Sequence, residues 1–286
     1  MGTMAKSSTA GRKRGMEIIN NIRYRQREDD KKEFEGDIMG QIVTCEIGGE
    51  TILLDVEPEI QEGETRNFER WRADTYATKE PDTIAWIDAF LQPGDALYDV
   101  GANIGQYALY AARRRDCRVF AFEPEALNYA KLNRNIVLNG LTEAVTAYCL
   151  AIADRTALDL FYVKSFAPGA SLHAYGRPIT QGEKPFPPRN RQGAMGVSLD
   201  DLTGRLALPF PNHIKIDVDG IEERIVQGAG QTLADPRLKS VLVEVFMHED
   251  VAPRIKEMFF KKDFTLHNAD AIDYSPGIVQ NLIFKR

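Results

Sequence analysis

The spacing of apolar residues changes repeatedly between residues 95 and 154. Short continuous apolar runs alternate with longer segments in which apolar residues recur three and four positions apart. The first spacing predicts buried strands, and the second predicts amphipathic helices. These segments, in order, are "ALYDV", "IGQYALYAARRR", "CRVFAFEPE", "ALNYAKLNRNIVLNG" and "AVTAYCLAIAD". Their βαβαβ alternation is typical of a parallel, doubly wound α/β sheet.

The chain before residue 95 has a different pattern, which predicts a small cap. Residues 1–37 are polar and charged, which favours an arm or a short helix. In residues 41–56 two β-prone runs flank Gly48 and Gly49, which is a strong hairpin signal. Two further helices are predicted, the first within residues 65–81 and the second within residues 82–95.

The chain after residue 154 adds strands, helices and one long insertion. "ALDLFYV" predicts a strand, whereas residues 164–196 are rich in glycine and proline and have no period of their own. A loop of that length is usually functional or disordered. Strand and helix signals then alternate through "VSLDDL", "HIKIDVDG", "IEERIVQGAGQTL", "SVLVEVF" and "VAPRIKEMFFKK", and "FTLHNA" with "IVQNLIFKR" predicts a closing antiparallel pair.

Composition narrows the class of protein. The chain has 286 residues, of which 43% are hydrophobic, and a net charge of −6, which argues against non-specific nucleic-acid binding. The three cysteines show no CxxC spacing, which indicates a reducing compartment without a zinc site. No apolar run approaches the roughly 20 residues of a membrane span, and no signal-peptide core is present. We therefore expect a cytoplasmic protein without a membrane partner.

The stretch "ALYDVGANIGQYALYAARR" raises the question of what its glycine turn holds. The turn has Gly101 and Gly105, but Ala108 stands where a dinucleotide fingerprint has its third glycine. The Lys-Ser/Thr pair of a phosphate-binding P-loop is also missing. Phosphate binding is therefore the weaker interpretation. The missing third glycine also disfavours a nucleotide-dependent oxidoreductase.

Three acids at successive strand ends favour a different ligand. Asp99 precedes the turn, where a carboxylate would repel a pyrophosphate and attract a cation. Glu123 ends the second strand, where a carboxylate can accept both hydroxyls of a ribose. Asp154 ends the third strand, where it can accept from an adenine amino group. S-adenosylmethionine, with an adenosine and a sulfonium but no phosphate, matches this set, although Asp99 and Glu123 can also be helix-capping acids.

The motifs "DVGANIG", "FAFEPE", "LAIAD", "SLDDL" and "IKIDVDGIEERIVQGA" follow one another in this chain. Together they resemble the FkbM family of S-adenosylmethionine-dependent methyltransferases over about residues 80–286. The resemblance implies a Rossmann-like class I methyltransferase fold, with a seven-stranded, mostly parallel sheet and an antiparallel C-terminal strand pair. It implies a methyltransferase domain at residues 81–286, preceded by an arm, hairpin and helical cap at residues 1–80. It also implies O-methylation of a small-molecule acceptor, such as a sugar or a natural product.

The resemblance and the residues together predict the site. Asp217 ends the fourth strand where acceptors enter, so it is the first candidate for a catalytic group, although it can equally cap the next helix. His248 follows the fifth strand and is the candidate base, while residues 164–196 form either an acceptor-side lid or a solvated loop. No metal is expected. The predicted cofactor-binding residues are Glu80, Thr83, Asp99, Gly101, Asn103, Gly105, Glu123 and Asp154.

Two other functions stay open from the sequence. A methyltransferase acting on RNA or another macromolecule would use the basic N-terminal arm as its grip, although the acidic charge of the chain weighs against it. A non-catalytic protein would bind S-adenosylmethionine without turnover. The expected partner is a small-molecule acceptor and not a nucleic acid, and the arm and hairpin are candidate surfaces for a homo-oligomer.

Overall fold

The computed structural model describes residues 40–181, 184–247, 250–269, 272–273, 275 and 277–286. The predicted arm at residues 1–37 and the candidate base His248 lie outside these residues. The strands are β1 Gln41–Ile47, β2 Glu50–Val56, β3 Ala96–Val100, β4 Arg118–Phe122, β5 Val145–Tyr148, β6 Ala151–Ile152, β7 Ala157–Val163, β8 Ala174–Tyr175, β9 Ile179–Thr180, β10 Lys184–Pro185, β11 Asn190–Val197, β12 His213–Ile216, β13 Ser240–Phe246, β14 Thr265–Leu266 and β15 Val279–Lys285. The helices are α1 Phe68–Thr75, α2 Pro81–Phe90, α3 Gln106–Arg115, α4 Ala126–Leu138, α5 Leu199–Thr203, α6 Glu222–Gln227 and α7 Val251–Phe260, with a 3-10 turn at Thr232–Ala234.

The main sheet has seven strands in the order β14-β15-β13-β12-β3-β4-β5. From β13 to β5 all neighbours are parallel, whereas β15 is antiparallel to both β13 and β14. The predicted Rossmann-like fold with an antiparallel C-terminal pair is therefore confirmed. The chain runs outward from β3 to β5 and then returns to β12, so the strand order reverses between β3 and β12. Ligands of such sheets bind at the carboxyl ends of the strands beside this reversal.

Helices cover both faces of this sheet, which explains why its strands are continuous apolar runs rather than alternating ones. On one face Ile87 of α2, Leu109 of α3 and Leu132 of α4 share a buried cluster. On the other face Ile225 of α6 and Phe259 of α7 belong to a second cluster. Among the described residues, no helix is both long and apolar enough to cross a membrane.

The predicted hairpin is confirmed and packs on α4. Gly48 and Gly49 have φ angles of 57° and 84°, a left-handed pair that non-glycine residues rarely adopt. The amides of Leu53 and Asp55 donate to side-chain oxygens of α4 and its C-cap at 2.9 and 2.8 Å. Residues 40–286 form one compact unit. The division of the chain at residue 80 stays a prediction.

Two predicted elements are wrong in detail. The single strand expected at residues 144–154 is two strands, because β5 belongs to the main sheet while β6 belongs to a second sheet of order β6-β11-β7-β8. The loop expected at residues 164–196 ends in β11, which pairs antiparallel with β7 along its length. Gly193 and Gly196 within β11 hide the strand, because glycine interrupts the apolar alternation that indicates one.

Candidate active site

A cavity of about 830 Å³, counting the part open to solvent, lies at the carboxyl ends of β3, β4 and β12. It lies beside the reversal of strand order, where the fold predicts a ligand. Predicted site residues that line it are Gly101, Asn103, Glu123 and Asp217. The sequence motifs therefore meet in one cavity, although they are separated along the chain.

The glycine turn is held against the end of β12. Gly101 and Gly105 have φ angles of 82° and 95°, and Asn103 has a φ of 51°. A Cβ atom at Gly101 would overlap the main-chain oxygen of Asp217, and one at Gly105 would lie 2.6 Å from the Leu132 side chain. Gly101 is thus required for close packing against the main chain, which brings the turn to the edge of the cavity, whereas Gly105 is favoured by its positive φ.

Glu123 lies in the cavity wall and also supports the turn. Its carboxylate accepts from the amides of Asn103 and Glu125, both at 2.8 Å. It is 5% exposed, and burial raises its pKa to about 8. A nearly buried carboxyl at this strand end is suited to hydroxyl donors such as those of a ribose.

Asp99 lies beneath the turn and does not line the cavity. It is 1% exposed and stands opposite Lys215 in the β3–β12 register. Burial raises the pKa of Asp99 to about 6, against the opposing effect of Lys215. Direct contact of Asp99 with a cofactor stays a prediction.

Gly105 and three other predicted cofactor residues also lie outside this cavity wall. The Asp154 carboxylate pairs with the Arg224 guanidinium at 2.6 Å. Burial acts to raise the pKa of Asp154, but the hydrogen bond and charge of Arg224 act against it, and the pKa is lowered overall. Glu80 precedes α2, contacts Lys79 and accepts from the Thr83 hydroxyl at 3.1 Å. Thr83 is fully buried. The cofactor roles of these three residues stay predictions.

Asp217 belongs to a charged cluster that the sequence did not reveal. The Lys215 ammonium donates to the Asp217 carboxylate at 2.7 Å, and Lys215 lies 4.9 Å from the centre of the Tyr107 ring. Although burial acts in the opposite direction, Lys215 holds the pKa of Asp217 well below its usual range. Asp217 is therefore an anion at the edge of the cavity.

Glu244 of β13 completes this cluster. Carboxylate oxygens of Glu80, Asp217 and Glu244 lie within 4.8 Å of one another. Burial, together with Asp217 and Glu80, raises the pKa of Glu244 to about 10. This spacing of the three carboxyl groups also suits a metal ion, but Lys215 supplies positive charge in the same place. That the protein needs no metal stays a prediction. One signal did exist, because Glu244 is the only charge within the apolar run "SVLVEVF".

Part of the insertion forms a wall of the cavity, held by side-chain amides. Asn103 and Asn128 both donate to the main-chain oxygen of Ala170, at 2.8 and 3.1 Å. The Gly169 amide donates to Asn128 at 2.7 Å, and Arg72 donates to the Gly169 oxygen at 2.6 Å. Ala170 lines the cavity, so this segment is ordered against the glycine turn and is not a solvated loop.

His173 of the insertion presents an unused donor to the cavity. Its Nδ1 accepts from the Lys164 amide at 3.1 Å, which places the ring proton of neutral histidine on Nε2. Nε2 is buried and has no partner among the described residues. Burial lowers the pKa of His173 to about 4. A buried neutral N–H without a partner among the described residues, on a residue of the cavity wall, fits an acceptor atom of a bound ligand or an ordered water.

Comparison with known proteins gives a consistent family. The model of the methyltransferase FkbM domain matches residues 99–266. The methyltransferase sdnD of Sordaria araneosa is 25% identical over 201 residues, covering 63% of this chain and 77% of that protein. The hexuronic acid methyltransferase AglP of Haloferax volcanii is 26% identical, with coverage of 71% and 78%. The 31-O-demethyl-FK506 methyltransferase FkbM of Streptomyces tacrolimicus is 28% identical, with coverage of 54% and 66%.

Proposed function

This chain belongs to the FkbM family of methyltransferases, and from that premise we propose that it transfers a methyl group from S-adenosylmethionine to a hydroxyl of a small-molecule acceptor. One relative is named for a hexuronic acid and another for 31-O-demethyl-FK506, whose name assigns the missing methyl group to an oxygen. Both names support a hydroxyl-bearing small molecule. The chemistry of the cavity supports the cofactor.

The observation that carries the proposal is the pair formed by Glu123 and His173 in one cavity wall. Glu123 would accept from the ribose hydroxyls, and the unpartnered Nε2–H of His173 would donate to an acceptor atom of the adenosine. The tight turn at Gly101 lets main-chain atoms approach the methionine part. Asp217 is ionised at the edge of the cavity. Bound S-adenosylmethionine would supply a sulfonium whose methyl group is electrophilic.

Asp217 is the residue proposed to receive the hydroxyl proton. Lys215 keeps it ionised and fixes one of its oxygens at 2.7 Å. A hydroxyl becomes strongly acidic as its oxygen gains a methyl group, so a carboxylate of low pKa suffices as the acceptor of the proton. The second task of Asp217 is orientation, because alignment of the hydroxyl contributes more to such displacements than base strength.

Calorimetric titration with S-adenosylmethionine, S-adenosylhomocysteine and NAD tests the proposal. We expect the first two to bind the wild-type protein, and Glu123→Ala to weaken both at least tenfold (about 1.4 kcal/mol) through loss of the hydrogen bonds that the carboxyl accepts from the ribose hydroxyls. Glu143→Ala is the matched control, because Glu143 is exposed and outside the cavity wall. Binding of NAD alone, or of none of the three, would overturn the proposed function.

A further inference from the structure

A second cavity lies beside the first and shares part of its wall. It encloses about 1310 Å³, counting the part open to solvent, between α2 and the strands β13 and β15. Lys79 and Glu244 line both cavities. These two side chains therefore form the boundary between the cavity proposed for the cofactor and its neighbour.

The boundary lies at the charged cluster proposed for catalysis. The carboxylate of Glu244 is within 4.8 Å of the Asp217 carboxylate, which lines the first cavity only. Glu80, within the same distance, lines the second cavity only. A molecule in the second cavity would thus lie against Glu80 and Glu244, the two carboxyl groups within 4.8 Å of Asp217.

The second cavity combines an aromatic wall with an unused hydrogen-bond acceptor. The rings of Phe90 and His267 meet edge to face, with their centres 4.9 Å apart. The side-chain oxygen of Asn281 is buried without a partner among the described residues, although its amide nitrogen donates to Thr83 at 3.3 Å. Asn281 is only 6% exposed, so a bound molecule or water that donates to this oxygen would remove the cost of leaving it unpaired.

We propose that the second cavity is the acceptor pocket and that it takes a hydroxylated ring of sugar type. Such a ring has apolar C–H faces that can pack on Phe90 and hydroxyl edges that can donate to Asn281. The inference rests on the proposed function, because it assumes that the cofactor occupies the first cavity. The hydroxyl of the acceptor would then enter the first cavity between Lys79 and Glu244.

A third cavity is the competing position for the acceptor. It shares Tyr175 and Ile221 with the first cavity and includes Arg224, which pairs with Asp154. Neither Glu80 nor Glu244, the carboxyl groups within 4.8 Å of Asp217, lines it, although Glu222 does. An acceptor there would lie at the wall formed by the second sheet, away from Asp217, so the charged cluster favours the second cavity.

Ala89→Trp tests the pocket by filling it. Ala89 is exposed on α2 and lines the second cavity but not the first. Ala130→Trp is the matched control, because Ala130 is exposed on α4 and lines none of the three cavities. Both variants place tryptophan on the outer face of a helix, so a general effect of that residue would appear in both.

The readout is saturation-transfer difference NMR of glucuronic acid on protein saturated with S-adenosylhomocysteine. We expect a signal for the wild-type protein and Ala130→Trp and at least a tenfold loss for Ala89→Trp. Cyclohexanecarboxylic acid, a ring of similar size without hydroxyls, should give no signal. Transfer of a labelled methyl group to glucuronic acid should fall by a similar factor in Ala89→Trp.

The outcomes separate the inference from the proposed function. If S-adenosylhomocysteine binds but the glucuronic acid signal survives in Ala89→Trp, the acceptor pocket is wrong and the methyltransferase proposal stands. If the wild-type protein gives no glucuronic acid signal, or the hydroxyl-free ring binds equally, the sugar-type acceptor is wrong. If S-adenosylhomocysteine does not bind the wild-type protein, the proposed function fails and the inference fails with it.

Discussion

The ammonium group of Lys215 donates to the carboxylate of Asp217, two residues further along the chain, at 2.7 Å. Residues two apart share one face of a strand, which is how both side chains reach the same space. The Lys215 side chain is only 2% exposed and stands opposite Asp99 in the sheet. One buried cation therefore serves two acids, and it keeps the candidate catalytic acid ionised.

Lys215→Met should destabilise the protein by about 3 to 5 kcal/mol, because it leaves buried acids without their cation. Denaturant unfolding at neutral pH measures the change. In Lys215→Met/Asp217→Asn part of the loss should be recovered, because one uncompensated charge is removed with it.

Lys239→Met is the control for this pair. Lys239 contacts Asp95 at 2.6 Å, but its side chain is 49% exposed. Exposed pairs contribute between about 0 and 1 kcal/mol, so this variant should lose far less stability. Equal losses for Lys215→Met and Lys239→Met would contradict the assignment of Lys215 as the structural counter-ion.

Gly101→Ala should be much more harmful than Gly94→Ala. The two glycines have nearly equal φ angles, 82° and 83°, so the backbone strain of about 1 to 2 kcal/mol is shared. Only at Gly101 would the added Cβ overlap a main-chain atom, whereas at Gly94 no described atom lies within 4 Å of it. Thermal unfolding and S-adenosylhomocysteine titration of both variants measure the difference, and similar behaviour would show that the turn can relax.

Glu123→Gln should become more stable relative to the wild-type protein as the pH rises. Burial raises the pKa of Glu123 in the folded protein to about 8, above the usual value of 4.5. The carboxyl therefore stabilises the folded state below pH 4.5, and this contribution is lost as the pH rises through 8. Glutamine does not titrate. The unfolding free energy of Glu123→Gln minus that of the wild-type protein should therefore rise by a few kcal/mol between low and high pH. Denaturant unfolding at pH 5 and pH 9 checks it, and parallel pH profiles would contradict the burial argument.

Asn128→Ala should release the wall segment around Gly169. It removes hydrogen bonds to the Gly169 amide and the Ala170 oxygen, each contributing about 1 kcal/mol. Hydrogen exchange of the Gly169 amide should become roughly 30-fold faster, the equivalent of about 2 kcal/mol. Asn133→Ala is the control, because the bond its side chain makes among the described residues stays within α4, to the Tyr129 oxygen at 2.7 Å. Unchanged exchange at Gly169 in Asn128→Ala would show that Arg72 and Asn103 hold the segment alone.

The sequence predicted best what depends on neighbours along the chain. The hairpin at Gly48 and Gly49 and the turn at Gly101 and Gly105 followed from local backbone requirements, and the structure has both. The placement of Glu123 followed from a general property of parallel sheets, in which strand ends meet at one edge. The same rule failed to place Asp154 in the cavity wall, because β6 leaves the main sheet and Arg224 pairs with the carboxylate.

The amino-acid sequence by itself determined the sheet, its glycine turn and the family, since these are expressed in local periods and contiguous motifs. The tertiary structure alone decided which charges meet. Lys79 before α2, Asp217 after β12 and Glu244 within β13 are far apart along the chain and converge only when the sheet forms. It also decided that the Nε2–H of His173 has no acceptor among the described residues, because this depends on the Lys164 amide and on burial. Local propensity carries no information about such long-range partners, so the boundary between the two cavities appears only in the folded molecule.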